Sequence, residues 1–193
     1  MPVTWFTSDT HFGHRGILAQ RMGRPRPFPS IEAHDEELIA LWNNRVCKHD
    51  RVYHLGDFAY GCSHAHARQV FDRLNGVKFL VRGNHEEKGE RLPWAAPPTE
   101  VLRTHVQDTG MERAQGVFLS HYAHRTWNHI WRGDIHLYGH SHGSLPGTAR
   151  SLDVGVDCWE HRPVRLSEIQ EVLDETAARE AVDAVAAAMS AAA

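Results

Sequence analysis

Cysteine is scarce in this chain of 193 residues, and the three present (Cys47, Cys62 and Cys158) stand far apart. An odd number of cysteines without a Cys-x-x-Cys pair argues against a disulfide framework and against a cysteine-rich zinc site. Long apolar runs are missing too, since no stretch reaches the 18 residues of a membrane-spanning helix. The first residues also lack the basic and apolar stretches of a secretory signal. We therefore expect a cytoplasmic protein that does not bind a membrane.

Lysine is almost absent, because 18 of the 21 basic residues are arginine and only 3 are lysine. Phosphate recognition could explain this excess, but a genome-wide codon bias that also enriches alanine is the simpler explanation. The formal net charge is −3, which gives no sign of the large basic surface that long nucleic acids require. We therefore expect a small substrate and no binding of long nucleic acid.

Short apolar runs alternate with helical patterns in the first half of the chain. Strands are expected at the apolar runs 3–7, 51–55 and 77–81. Helices are expected from Ser30 to about Val46 and over 64–74. Strands separated by helices with short connections predict a parallel sheet. Proline-rich loops are expected over 23–30 and within 86–100. Further strands without long helices between them are expected at 117–119, 135–138 and 152–156.

The C-terminal segment 166–193 is acidic and then alanine-rich. The pattern Ser167-Glu-Ile-Gln170 resembles a capping box, so it predicts the start of a helix there. The alanine-rich end has little to bury, and we expect it to fray. We divide the chain into a domain over 1–165 and this helix over 166–193.

Five polar clusters each follow an apolar run. They are Asp9-Thr10-His11, Gly56-Asp57, Gly83-Asn84-His85-Glu86, Ser120-His121 and Gly139-His140-Ser141-His142. Each cluster alone has an ordinary interpretation as a turn or a packed histidine. Because ligands bind outside the carboxyl ends of parallel strands, the five together predict one site at one rim.

The residue types in these clusters are those of a metal centre without cysteine. Carboxylate, amide and imidazole donors suit Mn²⁺, Fe, Zn²⁺, Co²⁺ or Ni²⁺. The donors outnumber the ligands of one ion, whereas two ions that share a carboxylate would use them all.

In their order, these clusters resemble the motifs of the calcineurin-like metallophosphoesterases. The phrases HFGHRGI, VYHLGDFAYG, RGNHEE, LSHY, LYGHSHG and DVGVDCWEHRPV look like those of a short bacterial or phage-type subgroup. The resemblance implies an α/β fold, a four-layer α/β/β/α sandwich of two mixed sheets.

The resemblance also implies how the metal ligands divide between two ions. It gives the first ion Asp9, His11 and His142, gives the second ion Asn84, His121 and His140, and makes Asp57 the bridge. Mn²⁺ is the metal we favour.

Beside the metals, the resemblance places His85 near the leaving-group oxygen, with Glu86 orienting its ring. Protonated His85 would donate to the departing alkoxide. Side chains next to or within the motifs are candidates to hold the phosphate oxygens: His14, Arg15, Arg82 and Asn84.

The predicted reaction is the hydrolysis of phosphate esters by a hydroxide held between the two ions. We favour phosphodiesters, since the chain shows no extra cap domain and few fixed positive groups for a terminal phosphate. Nucleotide-type substrates, including 2′,3′-cyclic nucleotides, are candidates. A phosphomonoesterase acting on proteins or nucleotides is the alternative, and a non-catalytic metal-binding scaffold is a further one.

Overall fold

A computed structural model describes residues 2–20 and 24–191 of the chain. Met1 lies outside the described residues, as do residues 21–23, which include the first residue of the proline-rich loop predicted over 23–30. So do residues 192–193, at the end of the predicted C-terminal helix. Within the described ranges, no helix combines the length and the apolar character needed to cross a membrane.

The first sheet contains the three strands predicted in the first half of the chain. Its strands are β1 (Thr4–Thr7), β2 (Arg51–His54), β3 (Val77–Leu80) and β8 (Val164–Arg165). Their order is β3-β2-β1-β8, with β1, β2 and β3 parallel and β8 antiparallel to β1. The predicted parallel arrangement is confirmed.

The second sheet contains the three later strands that were predicted and one that was not. Its strands are β4 (Val101–Val106), β5 (Gln115–Ser120), β6 (Ile135–Tyr138) and β7 (Ser151–Asp153). Here β5, β6 and β7 are parallel, and β4 pairs antiparallel with β5. Strand β4 is an edge strand in which one of the six residues is buried, and its sequence lacks the apolar run that marks its neighbours. Two mixed sheets with helices confirm the predicted fold class.

Two helices cover one face of the first sheet. They are α1 (Ile31–Arg45) and α2 (His64–Arg73), close to the predicted bounds. Each begins after a serine, Ser30 or Ser63, whose hydroxyl accepts a backbone hydrogen bond at 3.1 Å.

The first sheet separates two hydrophobic cores because successive side chains of a strand point to opposite faces. Trp5 packs with the apolar side chains of α1 and α2, whereas its neighbour Phe6 packs against the second sheet. Helix α3 (Leu166–Ala191) adds Ile169 and Leu173 to this second core. The carboxyl ends of strands from both sheets can therefore form one rim.

The predicted capping box at the start of α3 is wrong. The helix already begins at Leu166, and the buried hydroxyl of Ser167 has no hydrogen-bond partner among the described residues. Instead, the carboxylate of Glu168 accepts from the backbone N–H of Arg165 at 3.1 Å, and that of Asp108 accepts from the N–H of Ser167 at 3.1 Å. The cap comes partly from a distant loop. The helix then continues to Ala191, largely exposed beyond Thr176.

His136 on β6 is fully buried and neutral. Its Nε2 accepts a hydrogen bond from the backbone N–H of His124 at 3.0 Å, so its Nδ1 carries the proton and donates to the carbonyl of Phe118 at 3.1 Å. Burial lowers the pKa of His136 to about 4. The protonated ring is thus incompatible with its packing.

Acidification is expected to destabilise the fold through His136. As the pH falls, the unfolded chain takes up a proton near pH 6.5, before the folded chain does near pH 4. The stability that the fold gains from neutral His136 is complete above pH 6.5 and is lost as the pH falls towards 4. From pH 7.5 to 5, the free energy of unfolding of metal-free protein should therefore fall by about 2 kcal/mol more in the wild type than in His136→Gln, as measured by urea titration.

The control is His49→Gln, which removes an exposed histidine and should keep the pH dependence of the wild type. If His136→Gln also kept that pH dependence, the neutral state assigned to His136 would be wrong.

Candidate metal centre

The five polar clusters meet where the two sheets meet. They follow β1, β2 and β3 of the first sheet and β5 and β6 of the second. Two groups of side chains place their ligand atoms within 4.8 Å of one another: Asp9, His11 and His142, and Asp9, Asp57 and His121. The first group is the predicted ligand set of one ion, and the second joins the two predicted sets.

Asp57 lies between the two predicted sets and is 2% exposed. Its Oδ2 is 3.6 Å from Nε2 of His11, and its Oδ1 is 3.6 Å from Nε2 of His121. Oδ1 also accepts a hydrogen bond from the backbone N–H of His85 at 2.8 Å. One carboxylate oxygen thus faces each of the two predicted ligand sets, as a bridging ligand requires.

The ring of His121 is oriented to offer a lone pair. Its Nδ1 donates to the carbonyl of Leu55 at 2.7 Å, so Nε2 of the neutral ring has no proton. That nitrogen faces Oδ1 of Asn84 at 3.0 Å and Oδ1 of Asp57. Separations of 3.0–3.6 Å between acceptors suit neighbouring ligands of one ion with bonds of about 2.0–2.2 Å.

The first predicted set contains buried polar atoms that have no hydrogen-bond partner among the described residues. Oδ1 of Asp9 and Nε2 of His11 make no hydrogen bond within the described part of the chain. Burial raises the pKa of Asp9 to about 7 and lowers the pKa of His11 well below its ordinary value. A divalent cation would give both atoms a partner. The donors therefore fit a metal ion.

His142 and His140 are the remaining histidines of the two predicted sets, and of the two only His142 belongs to a group of close ligand atoms among the described residues. Nδ1 of His142 donates to Oδ2 of Asp157 at 2.7 Å, which leaves Nε2 as its lone-pair nitrogen. Burial would raise the pKa of Asp157, but hydrogen bonds from His142 and Arg26 lower it well below its ordinary value. The ring of His140 lies 5.1 Å from that of His121.

Five of the seven predicted ligands have a left-handed backbone, which side-chain-bearing residues rarely adopt. They are Asp9 (φ 55°), His11 (φ 50°), Asp57 (φ 58°), His140 (φ 64°) and His142 (φ 47°). Such residues cost about 1–3 kcal/mol each and cluster at functional sites. The strain supports a functional assignment of this rim.

Two motif glycines make room for the buried carboxylates. A Cβ at Gly83 would collide with Oδ1 of Asp57, and one at Gly139 would collide with Ser8 and with Oδ2 of Asp9. The glycines therefore allow other loops to pack directly against the two acidic ligands.

His85 stands beside the predicted ligands, and Glu86 makes its hydrogen bond elsewhere. The ring of His85 lies 4.1 Å from that of Tyr60 and 5.9 Å from that of His11. The buried carboxylate of Glu86 instead accepts from the backbone N–H of Phe58 at 3.1 Å, and no hydrogen bond among the described residues joins it to His85. Burial raises the pKa of Glu86 to about 8. The described hydrogen bonds give the predicted contact no support, since the Glu86 side chain reaches the loop after β2.

Both predicted phosphate-binding arginines are ion-paired. Arg82 donates to Glu90 at 2.8 Å and to Glu100 at 3.3 Å, and Arg15 donates to Glu32 at 2.8 Å. Each guanidinium would have to leave its carboxylate to reach a phosphate oxygen, so proximity in sequence is weak support for that role.

Other side chains lie at the rim of the first ligand set. Nδ1 of His14 is 3.3 Å from Nδ1 of His11, and its ring lies 4.8 Å from that of Tyr60. The exposed Arg24 donates to the carbonyl of Gly143 at 3.2 Å, one residue after a predicted ligand. Arg24 has no signal in the sequence, because it approaches the rim from a distant loop.

Two partly exposed tyrosines flank the site and were not predicted. Tyr60 is 37% exposed and packs on His85, whereas Tyr122 is 48% exposed and its ring lies 4.7 Å from that of His140. The hydroxyl of Tyr122 is 3.5 Å from Oδ1 of Asn84. Their closeness in sequence to Asp57 and to His121 was the available signal.

A family model described as calcineurin-like phosphoesterase matches residues 2–107, which is 106 of the 193 residues. The match includes the first three polar clusters, whereas His121, His140 and His142 lie beyond it.

Similar proteins match most of the chain. An uncharacterised protein of Methanocaldococcus jannaschii is 28% identical, covering 91% of this chain and 93% of that protein. The gene 66 protein of Mycobacterium phage D29 is 29% identical over 91% of this chain and 98% of its own length, and that of phage L5 is 28% identical over 94% and 99%. The phage relatives agree with the resemblance to a short phage-type subgroup.

A solved structure shares the fold. A protein of unknown function from Aquifex aeolicus superposes with a TM-score of 0.63 at 22% identity, covering 89% of this chain and 100% of that one. Since the family match extends over more than half of the sequence, the chain belongs to the calcineurin-like phosphoesterase family, which implies metal-dependent hydrolysis of phosphate esters.

Proposed function

We propose that this protein is a two-metal phosphodiesterase that acts on nucleotide-type substrates. The observation that carries the proposal is the position of Asp57, whose two carboxylate oxygens each face a histidine of a different ligand set at 3.6 Å. Two divalent ions, Mn²⁺ by preference, would supply a nucleophile from water at neutral pH and offset charge on the phosphate oxygens. The complete donor set argues against a non-catalytic scaffold.

In this proposal His85 is the general acid. Its backbone N–H is fixed by Asp57 at 2.8 Å, and its ring packs on Tyr60 beside the ring of His11. A half-buried imidazole held at the rim is suited to give a proton to the leaving oxygen of the ester. Asn84, exposed at the same loop, is available to hold a phosphate oxygen as well as an ion.

The charges at the rim favour a diester over a monoester. A terminal phosphate carries a second negative charge and gains from fixed cations. Arg15 and Arg82 are engaged by carboxylates, and the exposed Arg24 near the first ligand set donates to the carbonyl of Gly143. A diester, with one negative charge, matches this arrangement better.

The two rim tyrosines support a substrate with an aromatic base. Tyr60 lies beside His85 and Tyr122 beside His140, and each exposes part of its ring. Exposed aromatic rings stack on nucleobases without requiring a given sequence. A nucleotide, including a 2′,3′-cyclic one, would bring its base to such a ring while its phosphate faces the ligands.

A substrate panel tests the proposal. Protein stripped with a chelator and reloaded with Mn²⁺ is assayed on a nucleoside monophosphate, a linear dinucleotide diester and a 2′,3′-cyclic nucleotide. We expect kcat/KM for a diester to exceed that for the monoester by at least about 10-fold. This ratio needs a difference of only about 1.4 kcal/mol in transition-state stabilisation. The stripped protein should be inactive. A preference for the monoester would establish the alternative reaction, and inactivity on all three would favour the scaffold.

Asp57→Ala should lose metal and activity together, because it removes the carboxylate that faces both ligand sets. We expect less than one ion per chain by elemental analysis of the Mn²⁺-loaded, desalted variant. The control is Asp72→Ala, which removes an exposed carboxylate paired with Arg68 on α2. A fully loaded and active Asp57→Ala protein would contradict the bridge.

His85→Ala should keep its metal but lose turnover according to the leaving group. An alkoxide needs a proton as its bond breaks, whereas a nitrophenolate hardly does. We expect kcat to fall about 10²–10⁴-fold on a dinucleotide and much less on a nitrophenyl diester. The exposed His49 provides the control variant His49→Ala. Equal losses on both esters would show that His85 positions the phosphate without donating a proton.

A further inference from the structure

Arg26 lies in a proline-rich loop, yet it is only 3% exposed. It stands between Pro25 and Pro27, whose rings fix the backbone on both sides of it. The loop therefore delivers a preoriented guanidinium into the protein, below the first ligand set.

Every N–H of this guanidinium has a partner. Nε and Nη2 donate to the two carboxylate oxygens of Asp157 at 2.8 and 2.7 Å. Nη2 also donates to the carbonyl of Asp9 at 2.6 Å, and Nη1 donates to the carbonyl of Thr10 at 2.9 Å and to Nε2 of His34 at 2.9 Å. These contacts use all five donors of an arginine side chain.

The carboxylate of Asp157 connects Arg26 to a predicted ligand. Its Oδ2 accepts from Nδ1 of His142 at 2.7 Å as well as from Arg26. This bond holds the proton of His142 on Nδ1, so that Nε2 faces the ligand set with its lone pair. Arg26 thus holds Asp9 through its carbonyl and His142 through Asp157.

The same network reaches the other end of the loop that contains Asp9 and His11. His34 accepts from Arg26 through Nε2, so its Nδ1 donates to Asp35 at 2.8 Å. The two carboxylate oxygens of Asp35 also accept from the N–H of Gly13 at 3.1 and 3.0 Å. The loop is therefore held on both sides of His11, where its backbone is left-handed.

We infer that Arg26 and Asp157 are positioning residues that hold Asp9, His11 and His142 in the geometry of one metal site. The inference rests on the proposed two-metal centre. A buried ion pair is an inefficient way to stabilise a fold, whereas it fixes orientation well. Neither side chain is expected to touch substrate.

The experiment is a Mn²⁺ titration of chelator-stripped protein by calorimetry, with four variants. Wild type is expected to bind two ions per chain. Arg26→Lys and Asp157→Ala should bind one ion as the wild type does and the other about 10–100-fold more weakly. Asp157→Asn should show a smaller loss, because it keeps one oxygen for His142. Arg73→Lys is the matched control, since Arg73 pairs with Glu36 through two hydrogen bonds on an exposed surface.

The outcomes separate the two proposals. A wild-type chain that binds no Mn²⁺ contradicts the proposed function and this inference with it. A wild-type chain that binds two ions, with wild-type affinities in Arg26→Lys and Asp157→Ala, overturns the inference alone. Equal weakening of both ions would also overturn it. If circular dichroism shows that Arg26→Lys does not fold, the comparison of Asp157→Ala with Asp157→Asn tests the inference by itself.

Discussion

The site depends on one buried carboxylate, that of Asp57. Groups from three other loops converge on it: the N–H of His85 after β3, the ring of His11 after β1, and the ring of His121 after β5 in the other sheet. The loop of Gly83 passes so close that a side chain there would collide with it. The site therefore exists only when the two sheets are packed together, and the core between them is a condition of function.

The loops at this rim hold a backbone that the chain would not adopt alone. The loop after β1 continues the parallel pairing beyond the strands, since the backbone N–H of Asp9 donates to the carbonyl of Gly56 and that of His11 to the carbonyl of Asp57, both at 3.0 Å. These bonds and the Arg26 network oppose the strain of left-handed residues, about 1–3 kcal/mol each. These contacts hold the predicted ligands through the protein itself, and such support favours tight and selective metal binding.

The convergence of the polar clusters on one rim was predictable because each cluster is a local feature of the sequence. Asp9, Asp57 and His121 each follow an apolar run, and parallel strands bring such ends to one rim. Contacts between distant segments left no such trace: Arg26 meets Asp157 across 131 positions. The capping box at Ser167 failed for the same reason, since Asp108 supplies the cap. The direction of a long side chain was equally hidden, which is why the ion pairs of Arg82 and the contact of Glu86 were not foreseen.

Anomalous diffraction at the manganese edge from Mn²⁺-loaded crystals tests the central claim most directly. The account predicts two peaks about 3.5–4 Å apart on either side of the Asp57 carboxylate, one beside Asp9, His11 and His142 and the other beside His121. A single peak, or two peaks away from Asp57, would contradict it.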